Sequence, residues 1–169
     1  HLSIRRQRQM CIRDRHNIRL DKLVRGRVDP MAGKAAYEYI KLATEMTLAG
    51  ECDAIVTSAI NKEALNKAGY HYDGHTQLQA ELCGVSRVAM MLVSGKLRVS
   101  HVSTHVSLLK AIERVRPERI LTVLKLTDEA VRQMGVAEPR LAVAGLNPHS
   151  GEGGLFGDEE IKYIAPAIE

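Results

Sequence analysis

Aromatic residues are scarce in this chain: there is no Trp, one Phe and five Tyr in 169 residues. The core must therefore be filled by aliphatic side chains, and an apolar content of 45% supplies enough of them. No apolar run approaches the roughly 18 residues of a membrane span, which excludes a helical anchor within the chain. Cysteine is nearly as sparse. Cys11, Cys52 and Cys83 are widely spaced and odd in number, so neither a disulfide framework nor a CxxC metal knuckle can be drawn, and a reducing cytoplasm is the expected compartment. Residues 17–169 hold no HExxH or paired-carboxylate motif, and neither GxGxxG nor GxxxxGK[ST] occurs.

Positive charge is present but confined. Residues 1–27 carry nine Lys/Arg against Asp14 and Asp21, a net +7, which leaves −3 for residues 28–169 out of the total of +4. The basicity therefore describes an arm and not the body. That arm lacks helical periodicity, interleaved aromatics and the apolar h-region of a signal peptide, so neither nucleic-acid binding nor secretion is favoured. Residues 1–18 are expected to be a basic extension, disordered or foreign to the fold, and residues 19–169 the folded part.

Beyond the arm, apolar patterning alternates between helix and strand. Asp29-Pro30 pairs an N-cap with a proline at the first helical position, and an apolar period of about 3.6 residues runs on to Gly50. Residues 53–58 read as a short buried strand. Asn61 caps a brief helix to Ala68, and Thr76 caps another to about Cys83. Strands are expected at 87–93 and 97–103 around the turn Ser94-Gly95-Lys96, and at 140–145. Ser107 opens a short helix, Pro117 a longer one ending near Met134, and Asp158 a last one. Strands alternating with helices predict an α/β layered fold on a mainly parallel or mixed sheet, with ligands beyond the carboxyl ends of the strands.

The most informative segment is Gly145 to Gly157, which follows the apolar run Leu141-Ala142-Val143-Ala144. Five glycines, a proline and His149 pack poorly but suit a site loop, because glycine tolerates backbone shapes other residues do not. His75, in Gly74-His75-Thr76, and His105, in Ser103-Thr104-His105, fall on other connections. Neutral imidazole is a common metal ligand, and His105 with His149 make a candidate pair. A catalytic metal ordinarily takes about three protein ligands, so on spacing alone solvated loop histidines or hydrogen-bonded caps are the favoured reading. Lys62 reads either as solvated or as a partner for phosphate or carboxylate. Thr76 is a cap by pattern, or an anion site at a helix start. Glu113, Arg114, Arg116, Glu118 and Arg119 read as an ordinary charged helix surface.

Taken together and in order, residues 53–57, Ile60-Asn61-Lys62-Glu63-Ala64, Gly74-His75-Thr76, Ser103-Thr104-His105 and Gly145 to Gly157 resemble the 4-hydroxythreonine-4-phosphate dehydrogenase family. The resemblance covers about Arg25 to Glu169. It implies a three-layer α/β/α, isocitrate-dehydrogenase-like architecture, a cytoplasmic homodimer, and NAD or NADP as oxidant. It also implies one divalent metal (Zn, Mg or Co) held by His105 and His149. The third ligand in that family is a histidine of a later Tyr-His-Asp-Gln motif, donated by the other subunit. The pair matching His75 and Thr76 binds the phosphorylated substrate.

The implied reaction is oxidation and decarboxylation of 4-phosphooxy-L-threonine on the way to pyridoxal 5'-phosphate. The run from His101 to Leu108 looks more like a sister branch that acts on D-threonate or D-erythronate 4-phosphate. Ala59 stands where the family usually has proline. The chain reads as the middle half of such an enzyme, inactive alone, with the NAD-binding residues expected past Glu169. A reading of another class remains beside it, in which the glycine-rich loop belongs to a non-catalytic anion-binding module.

Overall fold

A computed structural model describes residues 15–169, which fall into two compact units divided between His75 and Thr76. The basic extension expected over residues 1–18 lies, for residues 1–14, outside the described residues. None of the described helices is long and apolar enough to cross a membrane.

The first unit is built on α1 (Pro30–Leu48) and α2 (Lys62–Lys67). Both begin as their caps require. The Asp29 carboxylate accepts from the Met31 N–H at 2.7 Å, and the Asn61 side-chain oxygen accepts from the Ala64 N–H at 2.9 Å. The inward face of α1 buries Ala35, Ile40 and Thr44, whose hydroxyl is satisfied by the Ile40 carbonyl at 2.8 Å. The helices meet backbone to backbone at Gly33, where a Cβ would lie 2.1 Å from the Ala64 carbonyl oxygen. Asn17 is also tied down. It donates to Glu38 at 2.6 Å and accepts from the Tyr39 hydroxyl at 2.8 Å, so the end of the expected basic extension is joined to α1.

The second unit starts within α3 (His75–Leu82), which opens one residue earlier than expected and so places Thr76 in the first turn instead of at the cap. β1 (Met91–Ser94) and β2 (Leu97–Ser100) form an antiparallel hairpin across the two-residue turn Gly95-Lys96, with Met91 opposite Ser100 and Ser94 opposite Leu97. The positive φ of Gly95, 56°, fits such a turn. α4 (Leu108–Glu113) is capped by the Ser107 hydroxyl, and α5 (Pro117–Gln133) starts on proline. The chain closes with a wide turn over Glu160–Ile164 and the short α6 (Ala165–Ile168). Val115, Ile120, Ile164 and Ala167 form the core here, with Val102, Leu124, Val143 and Tyr163 against it. Burying Ile120 and Ile164 stabilises the unit by roughly 1.5–3 kcal/mol each.

Two expectations are corrected. The predicted strands at 53–58 and 140–145 join no ladder, and the described residues contain one two-stranded antiparallel sheet where a mainly parallel or mixed one was expected. An apolar run becomes a strand only when neighbouring backbone takes up its N–H and C=O groups, and among the described residues no such ladder forms at these runs. Val56 is accordingly 98% exposed. The surface of α5 is also less ordinary than its charges suggest. Half-buried Arg119 donates to the carbonyls of Val102 at 2.9 Å and Val88 at 3.0 Å, and the Arg116 guanidinium sits 4.4 Å above the Tyr163 ring. Arg119 thereby ties the backbone just ahead of Ser103-Thr104-His105 to a helix.

Candidate functional site

Four described residues other than glycine have a positive φ: His105 (55°), His149 (52°), Ser150 (53°) and Glu152 (44°). Such a backbone costs a residue with a Cβ roughly 1–2 kcal/mol, and residues held this way concentrate at functional sites. Both candidate metal ligands are on that short list. Both imidazoles are exposed, and neither ring makes a hydrogen bond among the described residues. The His149 ring rests near Phe156, with centroids 6.5 Å apart.

Around His149 the strain is continuous. Residues 149–153 all have left-handed dihedrals, from His149 (φ 52°, ψ 30°) to Gly153 (φ 68°, ψ 19°). Left-handed backbone over five residues is costly. Glu160 engages the chain at the entrance to this segment. One carboxylate oxygen accepts from the backbone N–H groups of Leu146 and Asn147, both at 2.7 Å, and the other accepts from the Asn147 side-chain amide at 2.9 Å. The same amide donates to Glu159 at 2.7 Å. The Asn147 backbone N–H and side-chain amide, helped by Leu146, hold the Glu160 carboxyl down at about 2.

A depressed carboxyl contributes its stabilisation fully above its ordinary value of 4.5 and loses it as pH falls toward about 2. The amide resonances of Leu146 and Asn147 are therefore expected to titrate with a midpoint near 2. A midpoint near 4.5 would show that the clamp does not form.

Glycine makes room for this arrangement. A Cβ at Gly157 would lie 2.6 Å from both the Asn147 amide nitrogen and a Glu159 oxygen, and one at Gly145 would lie 2.9 Å from the Ser150 hydroxyl. The sequence marks Asp158 only as the start of a last helix and does not show the contacts that Glu159 and Glu160 make to Asn147. The signal available was an acid pair following a loop whose Gly145, Gly151 and Gly157 recur every six residues.

His75 and Thr76 sit at the start of α3, His75 closing the first unit and Thr76 opening the second. The Nε2 of His75 is buried and has no hydrogen-bond partner. Leaving such an atom unpaired costs roughly 1–3 kcal/mol, which a ligand oxygen would recover. Lys62 is exposed at the first turn of α2, and its Cε lies 3.8 Å from the place a Gly74 Cβ would occupy. Its reach is thus toward the residue preceding His75.

Among the described residues, no group of three or more His, Cys, Asp or Glu is arranged to hold a metal. His105 and His149 suit a divalent cation as donors, since both have free ring nitrogens, but a complete ligand set must draw on donors beyond them.

The profile of the family described as "Pyridoxal phosphate biosynthetic protein PdxA" matches residues 3–169. The chain belongs to the PdxA family. Among PdxA relatives, a putative D-threonate 4-phosphate dehydrogenase of Bradyrhizobium diazoefficiens is 50% identical over 88% of the chain, and D-threonate 4-phosphate dehydrogenase of Pectobacterium atrosepticum is 49% identical over 85%. The crystal structure of 4-hydroxythreonine-4-phosphate dehydrogenase from Klebsiella pneumoniae superposes with a TM-score of 0.80 at 46% identity, over 88% of this chain and 45% of that one.

Terephthalate 1,2-cis-dihydrodiol dehydrogenase from Burkholderia xenovorans is more distant, with 29% identity and a TM-score of 0.62. The PdxA likeness places the chain in the α/β class. The chain spans less than half the length of the curated relatives, 43% and 44% of the two named.

Proposed function

We propose that these residues form part of an NAD-dependent dehydrogenase acting on a four-carbon hydroxy acid phosphorylated at its 4-position. The carbon bearing the secondary hydroxyl loses hydride to the oxidant, the hydroxyl loses its proton to solvent as the carbonyl forms, and the resulting β-keto acid loses carbon dioxide. The observation that carries this reading is the pair of free imidazoles, His105 and His149, held on left-handed backbone in a family of named dehydrogenases.

A bound nicotinamide, NAD or NADP, supplies the hydride acceptor. A divalent cation supplies positive charge where the substrate oxygen becomes negative, and His105 and His149 would be its ligands from this chain. Further donors would come from beyond the described residues, and a homodimer sharing the site would provide them. His75 and Thr76 would bind the phosphorylated substrate, a reading supported by the buried His75 Nε2 that has no hydrogen-bond partner. Lys62 adds a cation on the same side of Gly74.

D-threonate 4-phosphate is the preferred substrate, because relatives at 50% and 49% identity bear that name. 4-Phosphooxy-L-threonine is the second reading, supported by the solved structure at 46% identity. The two acids differ mainly at C2, hydroxyl against amino. A complete protein carrying this segment is expected to reduce NAD with one of them, and only when divalent metal is present. Absence of NADH formation with both acids, with metal supplied, would reject the reading.

A further inference from the structure

We propose that Glu160 is the positioning residue for His149: its carboxylate grips Asn147 and thereby sets the left-handed turn that presents the imidazole. This rests on the reading of His149 as a metal ligand. The argument starts from the cost of the turn. His149, Ser150 and Glu152 all hold conformations that a side chain disfavours, in one unbroken stretch with Gly151 and Gly153. Besides the bonds internal to residues 148–154, the Ser150 N–H reaches the Asn147 carbonyl at 3.1 Å, the Phe156 N–H the Gly151 carbonyl at 3.1 Å and the Leu155 N–H the Glu152 carbonyl at 3.4 Å. All of these close the segment on itself, so an anchor to the rest of the chain comes from outside it.

Glu160 provides it at the turn's entrance, where three donors within two consecutive residues converge on a single carboxylate at 2.7–2.9 Å. Glycine at 145 and 151 keeps side chains clear of that carboxylate. A Cβ at Gly145 would sit 3.3 Å from one of its oxygens and a Cβ at Gly151 3.0 Å from the other. Pro148 leaves few ways for the chain to pass from the gripped Asn147 to His149, because its ring fixes one of the intervening dihedrals. Charged acceptors bind N–H donors about twice as strongly as neutral ones, so a carboxylate suits this role better than an amide. Residues that orient a metal-ligating side chain typically change metal affinity 10- to 100-fold when removed.

The test uses a complete protein carrying this segment, with Co2+ as the probe and its visible absorption as the readout. His149→Ala removes a ligand and sets the scale. Glu160→Ala is expected to weaken Co2+ binding 10- to 100-fold and to shift the absorption band. Glu160→Gln should fall between: its carbonyl oxygen can still accept from Leu146 and Asn147, while its NH2 faces the Asn147 amide. It also decides the matter if the alanine variant does not fold.

A second readout needs no metal. In the metal-free protein, Glu160→Gln should move the His149 resonances and leave those of His105 in place. Unmoved His149 resonances together with native Co2+ binding in both Glu160 variants would overturn the proposal. Native Co2+ binding by His149→Ala would reject the metal reading instead, and the resonances alone would then judge the clamp.

Discussion

His149→Ala in a complete protein carrying this segment is expected to lower kcat/KM by roughly 100-fold or more, with His105→Ala close behind. The magnitude follows from the role proposed. A Lewis acid at a developing oxyanion is worth several kcal/mol, and each 1.4 kcal/mol or so is tenfold in rate. Exposure separates this from a stability effect. Both imidazoles lie in solvent without hydrogen bonds among the described residues, so removing either leaves no cavity and no orphaned partner. Alanine should even relieve the unfolded and folded states about equally, since it too has a Cβ to strain at φ 52° or 55°. Melting temperature should therefore stay near that of the parent while activity falls. Because the two ligands act as a unit, the double variant should lose little more than either single one. Unchanged kinetics in His149→Ala, measured with divalent metal present, would remove it from the chemistry.

Much of this site could be read in the sequence wherever the determining interactions are local. Asp29, Asn61 and Ser107 each accept from a backbone N–H two or three residues on, so a short window contains both partners and the helices start where the pattern puts them. Strands are different. Residues 140–145 have the apolar run of a buried strand, and Val143 does pack on the core, yet a ladder needs a neighbour that no local pattern supplies. The hairpin of β1 and β2 is the exception that fits the rule, because its two strands are joined by a two-residue turn.

The histidines themselves were visible as types at promising positions. Their left-handed backbone was not, and the contacts made just ahead of each come from residues distant in sequence. Arg119 and Glu160 illustrate that distance: Arg119 reaches Val102 across seventeen residues, and Glu160 reaches Leu146 across fourteen. Arg119, read as part of an ordinary charged helix surface, and Glu160, at the start of the expected last helix, both bond backbone ahead of a site histidine.

The glycines of the loop separate two causes that sequence alone merges, backbone strain and lack of space. Gly151 and Gly153 have similar positive φ, 78° and 68°. At Gly153 nothing lies within 4 Å of an added Cβ, whereas at Gly151 the Cβ would meet the Gly157 carbonyl oxygen at 2.6 Å and a Glu160 oxygen at 3.0 Å. Gly153→Ala should then pay only for the left-handed conformation, about 1–2 kcal/mol. Gly151→Ala adds a collision with backbone that cannot rotate away, worth about 1–3 kcal/mol more.

The expected loss at Gly151 is thus about 2–5 kcal/mol, read as a shift in urea midpoint with unchanged slope. It should also push the Glu160 carboxylate off Asn147, so Gly151→Ala should reproduce the weakened Co2+ binding of Glu160→Ala while Gly153→Ala should not. Equal destabilisation at the two glycines would mean that the turn yields freely around residue 151. A loop that yields there could not hold His149 in place, and the clamp would lose its purpose along with its geometry.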